Sequence, residues 1–142
     1  MEPLNQYSFS IDQIPVPQAR PRVTRWGTYD PKSKEKKKYK AEIALKWAFK
    51  PLYEPLKLKM IFYMPIPKSY GKRKICEIYE NECRHCIKPD CSNLYKFLED
   101  CMSGIVYRDD SQIYHIEGEK RYGEKPGIDI IIDTDEKLTF LP

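Results

Sequence analysis

The nine residues LKLKMIFYM, Leu56 to Met64, constrain this chain more than any other stretch. They alternate apolar with charged at first, Leu56, Leu58 and Met60 against Lys57 and Lys59, and then turn fully apolar. Strand side chains point to opposite faces in turn, so this pattern predicts a strand, and its apolar second half predicts a central one. Pro65 and Pro67 end it. The rest of the chain must flank and cover that strand.

Flanking strands are readable. YSFSIDQI, residues 7–14, sets Tyr7, Phe9 and Ile11 on one face. Two more strands are expected at Gln112–Tyr122 and Ile128–Asp133, with GEKPG as the turn between them. Cover comes from helices. Lys34–Phe49 carries Tyr39, Ile43, Ala44 and Trp47 at helical spacing and stops before Pro51. A short helix is expected over Ser69–Tyr79. A third, Asn93–Met102, gathers Leu94, Phe97, Leu98, Cys101 and Met102 on one face, with Gly104 ending it in the left-handed conformation. PVPQARPRVTRWGTYDP is broken by Pro15, Pro17, Pro21, Gly27 and Pro31, which predicts an extended, arginine-bearing loop with little regular structure. At 142 residues the chain fits one domain. The order is β-α-β-α-α-β-β: a single α+β domain over residues 1–142, a mixed β-sheet with packed helices.

Charge narrows the partner. The net charge of +4 hides an asymmetry, since Arg20 to Lys50 holds eleven lysines and arginines against Asp30, Glu35 and Glu42. A polyanion such as nucleic acid suits that half, although a lysine run also serves as a plain solvated helix face. Trp26 and Tyr29, beside Arg25, are placed to stack on unpaired bases or to pack between two copies of the chain. No segment approaches the ~20 apolar residues of a membrane span, so no membrane and a cytoplasmic setting are expected.

The carboxylates gather elsewhere. KPDCSNLYKFLEDCMSGIVYRDDSQI, Lys88 to Ile113, contains Asp90, Glu99, Asp100, Asp109 and Asp110. Ten helical residues rise roughly 15 Å. Residues 103–109, if extended, travel back up to about 23 Å, enough to return Asp109 and Asp110 to Asp90 at the helix start. Lys96 lies on the polar side one turn in, and helical side chains tilt toward the N-terminus, so its ammonium is expected near Asp90. Carboxylates, a lysine and a helix N-terminus at one point suit a hard divalent cation and phosphodiester hydrolysis. The bland reading is that Asp90 caps a helix and that DDSQ is a turn.

These residues resemble the RusA-type Holliday junction resolvases, whose signature is Lys-Pro-Asp-x-Asp-Asn-Leu-x-Lys, then a Gly and Asp-Asp-x-x-Ile. PVPQARPR is similar to that family's Pro-x-x-x-Arg-Pro-Arg loop, TYDP follows it, and EKRYGEKPGIDIII resembles its closing hairpin. Only about 65–87 lacks a counterpart. The resemblance implies a RusA-like fold and a homodimeric, Mg²⁺-dependent endonuclease (Mn²⁺ as substitute) that cuts four-way junction DNA with paired nicks. Carried over by position, Asp90 and Asp110 are metal-binding catalytic carboxylates and Lys96 the essential lysine. Arg20, Arg22, Arg25 and Lys88 are candidate DNA contacts.

The chain departs from that signature at Ser92, where the family has a second aspartate. A hydroxyl is a weaker, neutral ligand. Three outcomes follow: Asp109 or a water fills the vacancy, the chain binds junctions and cleaves them poorly, or Ser92 is an inactivating replacement; as helix N-cap, Ser92 would have a purely structural role. A different class of function is open too. Cys83-x₂-Cys86, with Cys91 beyond, holds part of a zinc-ligand spacing, against free reduced thiols. His85 reads as an exposed loop residue and His115 as a surface or sheet residue.

Overall fold

The computed structural model describes residues 5–80 and 83–134. In chain order its elements are β1 (Asn5–Ile11), β2 (Arg22–Thr24), β3 (Gly27–Tyr29), α1 (Ser33–Lys46), β4 (Leu56–Pro65), α2 (Lys72–Tyr79) and α3 (Cys91–Met102). A 3-10 turn (Asp110–Gln112), β5 (Ile113–Gly123) and β6 (Gly127–Thr134) follow. The architecture is α+β with a mixed sheet and three helices, ordered as expected apart from the added β2–β3 ribbon.

The expected central strand is central. The sheet order is β1-β6-β4-β5, with β4 antiparallel to β6 and parallel to β5. Leu56, Leu58, Met60, Phe62 and Met64 are all buried, and Ile128, Ile130 and Ile132 of β6 stand beside them on the same face. Helix α3 presents Leu94, Phe97, Leu98, Cys101 and Met102 to that core, every one buried. Tyr39 of α1 meets Phe97 edge-on at 5.0 Å, which joins the two covering helices.

Four expectations need correction. The tail is no closing hairpin: β5 and β6 are neighbours in sequence but β4 lies between them. An apolar β4 needs backbone partners on both edges, so residues 124–126 cross its end, where Pro65 faces Gly123 and Tyr63 faces Gly127. The arginine-bearing loop is not wholly irregular, because Arg22–Thr24 pairs with Gly27–Tyr29 around a two-residue turn. Helix α1 ends at Lys46 rather than Phe49. Trp47 turns extended there and packs with Phe49 against Tyr7, each ring pair at 5.2 Å, while Ala44 stays exposed. Gly104 does have a left-handed φ of 86°, but as the third residue of a tight turn closed by Ile105 N–H donating to Met102 O at 3.0 Å.

Candidate active site

Asp90 is the N-cap residue of α3, and its carbonyl oxygen accepts from the backbone N–H groups of Asn93 and Leu94 at 3.1 and 3.2 Å. Its carboxylate makes no capping bond. The carboxylate meets Lys88 Nζ at 3.3 Å, an exposed pair worth little on its own. Helix capping therefore does not account for an acid here. Ser92 is the second residue inside the helix and is exposed, so it is not the cap it was expected to be.

The loop that carries Asp90 is held from the sheet. Lys120, on β5, donates from Nζ to Ile87 O at 2.7 Å and to Pro89 O at 2.9 Å. The Lys88–Pro89 peptide is cis. An open cleft of about 650 Å³ forms against this loop, lined by His85, Cys86, Lys88, Asp90, Cys91 and Lys120. His85 was expected to be exposed; it is buried, with its ring 4.8 Å from that of Tyr122. Burial, with Lys120 nearby, holds its imidazole below the usual range. His115 is a surface residue of β5, 3.2 Å from Glu117.

Asp109 and Asp110 reach α3 by a compact route. Residues 103–107 fold into turns, with Val106 N–H donating to Met102 O and Gly104 N–H to Tyr107 O, instead of the extended run expected. The buried Tyr107 donates its hydroxyl to Glu99 O at 2.9 Å. Asp109 caps the 3-10 turn: its carboxylate accepts from the Ser111 N–H at 3.1 Å and from the Ser111 hydroxyl, which holds it below the ordinary carboxylate range. Gln112 completes a capping box by accepting from Asp109 N–H at 2.8 Å. Asp110 begins the same turn, and its charge is felt at Glu99 of α3. Burial, then Asp110 and Asp100, raise the Glu99 carboxyl, while Lys96 opposes them. Lys96 is exposed on α3, and its charge is felt at Glu99.

Among the described residues no three His, Cys, Asp or Glu side chains gather as a set that could hold a metal ion. The zinc reading of Cys83, Cys86 and Cys91 is overturned on this ground. All five cysteines are free, and Cys101 belongs to the core under α3. The acidic residues likewise form no three-ligand cage. Mg²⁺ binds proteins through as few as one or two carboxylates with waters and substrate phosphates, so the chemistry of Asp90, at the start of α3, and of Asp110, on the 3-10 turn, still fits it.

The arginine-bearing segment is docked onto this helix. Gln18 N–H donates to Asn93 O at 2.9 Å, and the Gln18 side-chain amide donates to Asp100 at 3.1 Å. Lys36 ties Asp30, at the far end of the segment, to Asp100 with contacts of 2.6 and 3.5 Å. Arg20, Arg22 and Arg25 lie between these anchors and are exposed. Gln18, Gln112 and Lys120 were missed in the sequence. Only Gln112 had a visible signal, as the fourth residue of an Asp-x-x-Gln capping box.

The residues that build this arm and helix fall within a known family. A family model described as endodeoxyribonuclease RusA matches residues 12–133. The chain belongs to the RusA endodeoxyribonuclease family. The RusA match takes in the arm, α3, the Asp110 turn and the last strand, and also the stretch about 65–87 that resembled nothing by motif. Nucleases of the RusA family act on junction DNA, generally as dimers and with a divalent metal. A further relative is the uncharacterized protein YqaN of Bacillus subtilis (strain 168), 33% identical over 132 residues, covering 87% of this chain and 93% of YqaN. Among the described residues of this RusA-family chain, no helix is long and apolar enough to cross a membrane.

Proposed function

We propose that this chain is a Mg²⁺-dependent endodeoxyribonuclease that resolves four-way junctions, residues 1–142 forming one nuclease domain of a cytoplasmic homodimer. The observation that carries the reading is the Gln18–Asn93 backbone bond, which fastens the arginine arm to the helix bearing Asp90 and Lys96. Binding and chemistry then share one rigid element.

In this reading Asp90 and Asp110 hold the divalent ion, which supplies charge stabilisation and an acidified water when bound. Lys96 faces the negative charge that builds on the phosphoryl oxygens, and the N-terminus of α3 adds its partial positive charge. Arg20, Arg22, Arg25 and Lys88 grip phosphates and set the strand's register, so binding is salt-sensitive and nearly sequence-blind. A twofold dimer presents two equal sites to two equivalent strands, which gives paired nicks.

Ser92 supports a second reading, a junction binder that cleaves weakly. It removes one carboxylate, and the described acids form no three-ligand cage. A labelled four-way junction separates the two, incubated with and without Mg²⁺ or Mn²⁺, using the native chain, Ser92→Asp and Asp90→Asn. Metal-dependent paired nicks by the native chain, lost in Asp90→Asn, support the nuclease. Nicks only from Ser92→Asp support the binder, and no nick from any of them sinks both active-site assignments.

A further inference from the structure

We infer that Arg25 and Trp26, at the tip of the β2–β3 ribbon, form a stacking probe that takes an unpaired nucleobase at the branch point of a DNA junction. The inference rests on the junction-binding half of the proposed function and names what that surface recognises.

The tip is built rather than loose. The ribbon pairs Arg22 with Tyr29, Val23 with Thr28 and Thr24 with Gly27, leaving Arg25 and Trp26 as a two-residue turn. Thr24 Oγ1 accepts from Trp26 N–H at 3.2 Å and donates to Gly27 O at 3.0 Å, which braces the turn across its base. Gly27 takes a φ of 129°, a conformation that strains any side chain.

That turn holds an indole almost entirely in water. Trp26 is 87% exposed, whereas the other tryptophan, Trp47, is 7% exposed and lies in the core. The Arg25 guanidinium lies over the Trp26 ring, 5.2 Å from its centroid, and so covers one face of it. A flat apolar surface backed by a cation fits the face of a nucleobase, and every base has such a face. In intact duplex those faces are already stacked, while a branch point offers bases that are not.

Position and charge favour DNA over a second copy of the chain. The ribbon's ends are fastened through Gln18 to α3 and through Asp30 to Lys36, so the probe stands at a fixed offset from Asp90. Arg25 is in the tip itself, and Arg20 and Arg22, both exposed, lie on the chain that leads to it. A twofold contact centred on this tip would set those arginines against their own copies, like charge against like. Phosphates would neutralise them.

The test uses the full chain in metal-free buffer, so cleavage plays no part. Tryptophan emission and binding are followed with a synthetic four-way junction and with a duplex of the same length, for the native chain, Trp26→Ala and Trp26→Phe. The expected result is strong quenching by the junction and little by duplex, lost in Trp26→Ala. Junction affinity falls roughly tenfold in Trp26→Ala and is restored by Trp26→Phe, with duplex affinity unchanged. Equal quenching by both DNAs, or full junction preference in Trp26→Ala, overturns the probe alone. A native chain that binds neither DNA overturns the junction reading along with it. Sedimentation that finds a native dimer and a Trp26→Ala monomer assigns the tip to packing between copies and also overturns the probe.

Discussion

Lys120, on β5, donates to the carbonyl oxygen of Pro89 at 2.9 Å, one residue before Asp90. The same ammonium holds Ile87 O at 2.7 Å, so one side chain fixes the whole approach to the helix start. Removing it leaves two carbonyls to water and frees the loop. Lys120→Met is expected to cut junction cleavage by about 10–100-fold, as loss of a group that orients a ligand does. DNA binding should change little, since the Lys120 ammonium is engaged with protein carbonyls. Cleavage and gel-shift assays side by side decide it; full cleavage by Lys120→Met means that the loop holds its shape unaided.

The Asp109–Asp110 turn has its own anchor in Gln112. This buried amide donates to Leu52 O at 2.9 Å and to Glu54 O at 3.0 Å, while its oxygen accepts from Asp109 N–H. Gln112→Leu keeps the volume, removes all three bonds and leaves Glu54 O and Asp109 N–H without the partner they have here, while Leu52 O still accepts from Arg108 N–H at 3.1 Å. Each buried group left unpaired costs about 1–3 kcal/mol, so a loss of roughly 3 kcal/mol is expected, read by urea denaturation. Gln112→Glu sets a buried carboxylate against two carbonyl oxygens and should cost at least as much at neutral pH. A Gln112→Leu chain as stable as the native one contradicts the anchoring role.

How much of this shows in the sequence depends on the range of the interaction. The buried face of α3 is readable residue by residue, because helical periodicity is local and Leu94, Phe97, Leu98, Cys101 and Met102 all obey it. The centrality of β4 is readable from its composition. Its neighbours are not: GEKPG between two strand patterns reads as a hairpin, yet the demand of β4 for two partners, set across the whole fold, places it between β5 and β6. The site divides in the same way. Asp90, Lys96 and Asp110 stand out by residue type and order, whereas Lys120 looks like one more surface lysine until β5 carries it to the 87–89 loop. The capping box at Asp109 is local too, an Asp-x-x-Gln pattern inside the DDSQ run that reads at first only as a turn.

Glu99 gives a pH signature. Burial and the charges of Asp110 and Asp100 raise its carboxyl above the ordinary 4.5. An acid whose folded value exceeds its unfolded one binds its proton more tightly when folded. Ionised Glu99 therefore costs stability above the folded value, and that cost disappears as pH falls below the unfolded one. Glu99→Gln should raise the melting temperature by about 2 °C near pH 8, with the gain shrinking toward zero near pH 4. Melting curves across that range check the sign. A gain that does not vary with pH would come from packing instead of charge.

Gly118 sets how closely α3 approaches the sheet. It lies on β5 opposite Met60, and a Cβ there would fall within the ring of Tyr95, which packs against Phe62 at 5.7 Å. Tyr95 precedes Lys96, so the contact that excludes a side chain at 118 also fixes the depth at which α3 rests beside Lys120. The phenol is pushed up to about 12, chiefly by burial and then by Cys91. Gly118→Ala must displace that ring or lift the helix, and overpacking of this kind costs about 1–3 kcal/mol. Tyr95→Ala removes the obstacle. In the double variant the alanine at 118 should therefore cost much less than it does alone, a coupling of about 1 kcal/mol or more in a double-mutant cycle. Strictly additive losses would show that the two residues do not compete for the same space, and that something other than Tyr95 sets the approach of α3 to β5.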